Sequence, residues 1–168
     1  MILGLSIPAF TMVHVAISLA GIAAGLVWLF ALLRGRWSPT WNMAFLALTV
    51  ATSVTGFFFP VATLTPAQVV GYISLADLAL ALVALLVFAR RGLWRVIYAV
   101  SAIFALYLNA FVAVVQSFLK ITALHELAPG GTEPPFVAAQ GALLIAFVVL
   151  GYLAIRREPT PAAAAASN

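Results

Sequence analysis

The chain has 168 residues, 65% of them hydrophobic and 7% charged, with a mean hydropathy of +1.19. Soluble domains carry about 25% charged residues, so too few charges remain here to cover a water-facing surface, and the long apolar runs are read as lipid-facing helices. The net charge of +4 comes from eight basic residues at the ends of apolar runs, with no basic cluster interleaved with aromatics, so a nucleic-acid partner is excluded. The absence of cysteine excludes disulfides, thiolate metal sites and iron–sulfur clusters.

The first apolar segment is Ala9–Leu33. No basic residue precedes it, unlike a cleaved signal peptide. Ser18, Gly21 and Gly25 give it a small-residue face suited to close helix packing. His14 lies one to two turns inside. Three readings stand for it: a neutral imidazole bonded to a neighbouring helix, a haem ligand with His125 on the same side, or a proton relay with Asp77.

The second segment, Trp41–Phe59, ends in a hydroxyl-rich stretch that includes Thr52 and Thr55. Such hydroxyls bond back to carbonyls four residues earlier, or could line an outer cleft. The third, Ala67–Ala89, carries Asp77 near its middle beside the small residues Gly71 and Ser74. An ionised Asp at the bilayer centre costs about 2.5–3.5 kcal/mol on insertion scales. An interhelical polar contact returns only about 0.6–2 kcal/mol. Asp77 is therefore either an ion- or proton-pathway residue or a polar tie between helices.

The fourth segment, Trp94–Lys120, places Asn109, Gln116 and Lys120 at i, i+7 and i+11, within about 40° of one another at 100° per residue. That stripe would line a water-filled cleft. Alternatively, Asn109 and Gln116 bond neighbouring helices while Lys120 snorkels to the interface. A loop with His125, Glu126 and Glu133 follows. Glu133 would favour the positive end of the next helix or pair with Lys120. Gln140 lies one turn inside the fifth segment, Phe136–Ile155, and would join the same cluster. Residues 1–157 form one transmembrane domain, and 158–168 read as a disordered cytoplasmic tail.

All nine prolines fall outside the five segments, as expected for residues that break helix interiors. Five crossings put all seven arginines on one side and Lys120 on the other. By the positive-inside rule the N-terminus is then outside and the C-terminus in the cytoplasm. The fold class is all-α, a polytopic membrane helix bundle of about five transmembrane helices. No Walker loop, dinucleotide turn, HExxH or Gly-x-Ser-x-Gly motif is present, so no catalytic residue and no metal site are assigned.

Thr52-Ser-Val-Thr-Gly-Phe-Phe-Phe-Pro60, Gln116-Ser-Phe-Leu-Lys120 through Glu133-Pro-Pro-Phe136, and His14-x-x-x-Ser18-Leu-x-Gly21 resemble a group of small bacterial multi-pass integral membrane proteins without an established activity. The resemblance covers nearly the whole chain and implies a bacterial inner membrane. It transfers no functional residue.

The function expected from the residues is a small-solute or ion/proton transporter or binding protein. Its polar cleft would be open to the outside, lined by His14, Asp77, Asn109, Gln116 and Lys120, with Glu133, Gln140 and Thr55 at the mouth. The alternatives are a haem- or quinone-binding subunit of a membrane redox complex and a structural or assembly protein. No cofactor is predicted. The expected partners are the lipid bilayer and either further copies of the chain or a larger membrane complex.

Overall fold

A computed structural model describes residues 1–60 and 65–159. Among the described residues there are five long helices and one short one: α1 (Ile7–Leu33), α2 (Pro39–Gly56), α3 (Pro66–Leu82), α4 (Leu93–Lys120), α5 (Thr122–His125) and α6 (Pro134–Arg157). A π-turn, Val83–Val87, extends α3. Four of these helices, α1, α3 with its π-turn, α4 and α6, are long and apolar enough to cross a membrane. The second expected span, α2, is 18 residues long and carries Asn42, Thr49, Thr52, Ser53 and Thr55, which lower its apolarity.

Four of the long helices start earlier than their apolar runs, because proline sits in the first turn. Pro8, Pro39, Pro66, Pro134 and Pro135 occupy early positions of α1, α2, α3 and α6. There the missing N–H has no intrahelical partner to lose, and the fixed φ is already helical. Ser6 caps α1 by accepting from Ala9 N at 3.3 Å. Thr65 and Gln68 cap α3 reciprocally.

Neighbouring pairs run α3–α2, α2–α1 and α1–α6, and α4 packs against all four. One end of the bundle gathers the α1–α2 loop, the α3–α4 loop and the end of α6. Arg157 Nη1 donates to Leu33 O at 2.8 Å, and Arg90 pairs with Glu158 at 2.7 Å. All seven arginines lie at or next to these three chain segments. This is called the arginine end below, and the opposite one the loop end.

The hydrophobic core is skewed toward the arginine end. Trp28, Leu29, Leu32, Phe45, Leu46, Leu78, Ala81, Tyr98, Ala102 and Leu106 are all but fully buried in one cluster. They come from the last part of α1 and α3 and the first part of α2 and α4. Trp28 stacks on Phe45 at 5.7 Å and meets Trp37 and Tyr98 edge-on, offset geometries that aromatic rings favour. Toward the loop end, packing rests on smaller aromatic contacts, Phe10 with Phe58 and Phe59, and Phe118 with Phe136.

Candidate functional site

Small residues let the helices approach closely enough for polar groups to meet. A Cβ added at Gly25 would lie 2.6 Å from Leu106 Cδ1 and 2.8 Å from Phe45 Cδ2, and one at Gly21 would lie 3.3 Å from Leu48 Cβ. Both glycines thus seat α1 on α2 and α4 within one chain. Ser18 bonds back to His14 O at 2.7 Å, which hides its hydroxyl along the helix.

His14 Nδ1 lies 2.8 Å from Thr55 Oγ1, while Thr55 directs its hydroxyl at Ala51 O, 2.7 Å away. A hydroxyl has one proton, so His14 Nδ1–H is the donor, leaving Nε2 as an acceptor. Asn109 Nδ2 donates to Thr49 Oγ1 at 3.0 Å, tying α4 to α2 with both residues buried. Gln140 Nε2 donates to Phe111 O at 3.2 Å, tying α6 to α4, and its buried Oε1 has no partner. Each of these three residues bridges a different helix pair.

Asp77 is half-buried on α3, with Ser101 of α4 beside its carboxyl. Its Oδ2 is shielded from solvent and meets no donor. Ser74 on α3, Thr49 and Ser53 on α2, and Ser101 and Asn109 on α4 are buried as well. The mutually packed α2, α3 and α4 thus each carry buried small polar side chains, and Asp77 is the one carboxylate on these helices. A carboxyl oxygen without a donor in such a place can take a proton or a cation.

Comparison with protein-family models, with curated proteins and with solved structures finds no match. The chemistry of Asp77 and its neighbours therefore rests on the residues themselves.

The rest of the sequence-derived set lies apart from Asp77. Gln116 and Lys120 are exposed, and their side chains make no hydrogen bond among the described residues. Glu133 turns back on its own loop, accepting from Gly130 N at 2.8 Å and Thr132 N at 2.9 Å. Those amide donors hold its carboxyl below the usual carboxylate range. Among the described residues Glu133 makes no pair with Lys120. No group of three or more His, Asp or Glu side chains suited to a metal ion occurs among the described residues.

The strongest polar network sits at the arginine end, where the sequence pointed only to a topology signal. Arg90 is 5% exposed, pairs with Glu158 Oε1, and lays its guanidinium 3.3 Å from the centroid of the Trp37 ring, a cation–π contact. Arg95 Nη1 donates to Glu158 O at 2.6 Å. Tyr98 donates its hydroxyl to Asn42 Oδ1 within the same layer. Burial pushes Arg90 down and Glu158 up to about 7, although Arg90 and Arg95 favour the charged carboxylate. Glu158, the first residue of the expected tail, is thus placed and buried, while 160–168 lie outside the described residues.

Proposed function

We propose that the chain is a bacterial inner-membrane protein that binds or moves a proton or small cation at Asp77, as a small transporter or ion-binding protein. The observation that carries this reading is the shielded Asp77 Oδ2 with no donor, on a carboxyl whose polar neighbour is Ser101 of α4. His14, Asn109 and Gln140 each have a helix-tying partner. Asp77 has Ser101 of α4 beside its carboxyl and keeps one shielded oxygen without a donor, and intramembrane carboxyls mark ion and proton paths.

The reading includes five crossings, with the N-terminus outside. Support comes from the gathering of all seven arginines at one end. Helix α2 spans about 27 Å at 1.5 Å per residue, close to the hydrocarbon thickness. It packs against α1, α3 and α4, so its hydroxyls need not face lipid. Substituted cysteines in this cysteine-free chain test the orientation: position 130 should label from outside and position 35 from inside. The opposite pattern overturns it.

The site itself is tested with a hydrophobic carbodiimide, which reacts with protonated carboxyls in apolar surroundings. Wild-type protein should label at Asp77, cations should compete, and Asp77→Asn should lose both the label and proton or cation flux in vesicles. Labelling that Asp77→Asn leaves intact sinks the proposal. So does a Soret band or a stoichiometric quinone in the purified protein, either of which would make His14, with its available Nε2, the residue to mutate. Native mass spectrometry of the same sample reads whether copies of the chain assemble around the path.

A further inference from the structure

The cations of the arginine end are far from balanced. Seven arginines meet one acid there, Glu158, and Arg90 and Arg95 already engage it. Residues 160–168 carry no charged side chain that could neutralise the rest.

Between the C-terminal ends of α1 and α6 lies an open depression of about 550 Å³, lined by Leu33, Arg34, Gly35 and Arg157. Helix C-termini ordinarily attract cations for their own free carbonyls. At the end of α1 three of those carbonyls are answered already. Arg34 N and Arg36 N donate to Ala31 O at 3.0 and 2.9 Å, and Gly35 N donates to Leu32 O at 2.8 Å. Arg157 answers Leu33 O with a single Nη1–H. A guanidinium has five N–H donors, so Arg157 keeps most of its own. Arg34 makes no side-chain hydrogen bond among the described residues and is exposed. Gly35 adopts φ +69°, which reverses the chain at the floor of the depression without adding a side chain to it.

Apolar surface continues from this cationic mouth toward the bundle's middle. Phe30 stands one turn before Arg34 on α1, and Leu153 one turn before Arg157 on α6, at 49% and 37% exposure. Two exposed guanidiniums above two exposed apolar side chains match a molecule with an anionic phosphate head and hydrocarbon tails.

We propose that the depression between the ends of α1 and α6 binds the phosphodiester of an anionic phospholipid, through Arg34 and Arg157. The inference rests on the membrane-embedded bundle and not on the role of Asp77. Guanidiniums suit this ligand because they present paired donors to phosphate oxygens.

The test is native mass spectrometry of the detergent-purified full chain, titrated with phosphatidylglycerol or with phosphatidylcholine of the same acyl chains. Wild type should retain phosphatidylglycerol preferentially. R34Q/R157Q should weaken that retention about 30-fold, about fivefold for each arginine. R36Q/R91Q removes the same charge from outside the depression and should leave retention nearly unchanged. Gln at position 157 still offers an N–H to Leu33 O. If the double variant nevertheless fails to fold, R34Q alone carries the test, with a loss of about fivefold. Equal retention of the two lipids overturns the proposal. Equal losses in the two double variants also overturn it, since they would mean a diffuse field and no site. Excess inorganic phosphate should leave the lipid bound. Displacement by phosphate would make a soluble anion the ligand and the lipid proposal wrong.

Discussion

Arg90 shows how much a single residue can hold together. The π-turn Val83–Val87 ends α3, and Ala89 and Arg90 follow at φ +48° and +55°. The left-handed region costs a non-glycine residue roughly 1–2 kcal/mol, so other contacts must over-determine this turn. They include Arg90 N donating to Ala84 O at 3.0 Å, the Trp37 ring and Glu158. Arg90→Ala removes the cation that favours the Glu158 carboxylate, so the carboxyl is driven to its neutral form and loses its ion-pair partner, and stability should fall by about 1–3 kcal/mol, whereas replacing Arg90 and Glu158 together with Met and Leu should recover most of it. Thermal unfolding in detergent reads both. Glu158 also gives stability a pH dependence. Its folded value of about 7 lies above the ordinary 4.5, so the fold holds this proton more tightly than the unfolded chain does. The associated stability is fully present below about pH 4.5 and is lost as pH rises through about 7. Glu158→Gln should flatten that part of the Tm–pH curve, and an unchanged curve would show that Glu158 does not titrate there. Nothing in the sequence points to this pair, because its partners are 68 positions apart and Glu158 opens a stretch whose composition reads as tail. Asp77 was legible, since a lone carboxylate in an apolar run is conspicuous at any depth. That one of its oxygens meets no donor was not, because that depends on what the neighbouring helices present to it.

At the scale of elements, the glycines separate contact from empty space. Gly25→Ala should destabilise by about 1–3 kcal/mol, since its Cβ would press on Leu106 and on the Phe45 ring. Gly141→Ala in α6 meets nothing within 4 Å and should stabilise by up to about 1 kcal/mol through helix propensity. The two variants, compared by thermal shift, test whether α1 rather than α6 is the tightly seated helix. Helix positions were readable from hydropathy and proline, and the ends moved by a few residues because proline favours the first turn. The stripe on α4 was only partly readable. Asn109, Gln116 and Lys120 do share a face by periodicity. Yet α2 covers that face at Asn109 and leaves it open at Gln116 and Lys120, and no single-helix pattern says where a neighbour ends. Gln140 was placed in a cluster at the loop end. It bonds instead to the backbone of α4 at Phe111, a partner that has no side-chain signature.

For the whole molecule, the skew of the core toward the arginine end predicts uneven rigidity. Amides of α4 between Tyr98 and Leu106 should exchange with deuterium more slowly than those between Phe111 and Gln116, because the first stretch is enclosed and the second half-open. Mass-spectrometric exchange in nanodiscs reads this directly, and uniform protection along α4 would contradict it. An ion path at Asp77 would then open through the loosely packed half, toward the loop end. The charge pattern made the two ends of the bundle legible from the sequence. It could not show which end is better packed, since apolar residues are spread evenly along every helix.

The Arg90–Glu158 pair also fixes an order of events during synthesis. Arg90 emerges from the ribosome with the α3–α4 hairpin, and its partner follows only after the whole of α6 has been made. Until then the α3–α4 turn carries an unneutralised cation, which helps to keep that turn on its own side of the membrane while later helices insert. Glu158 can draw the end of α6 onto this turn only once it has left the ribosome. The docking of α6 on the α3–α4 turn is thereby tied to the completion of α6.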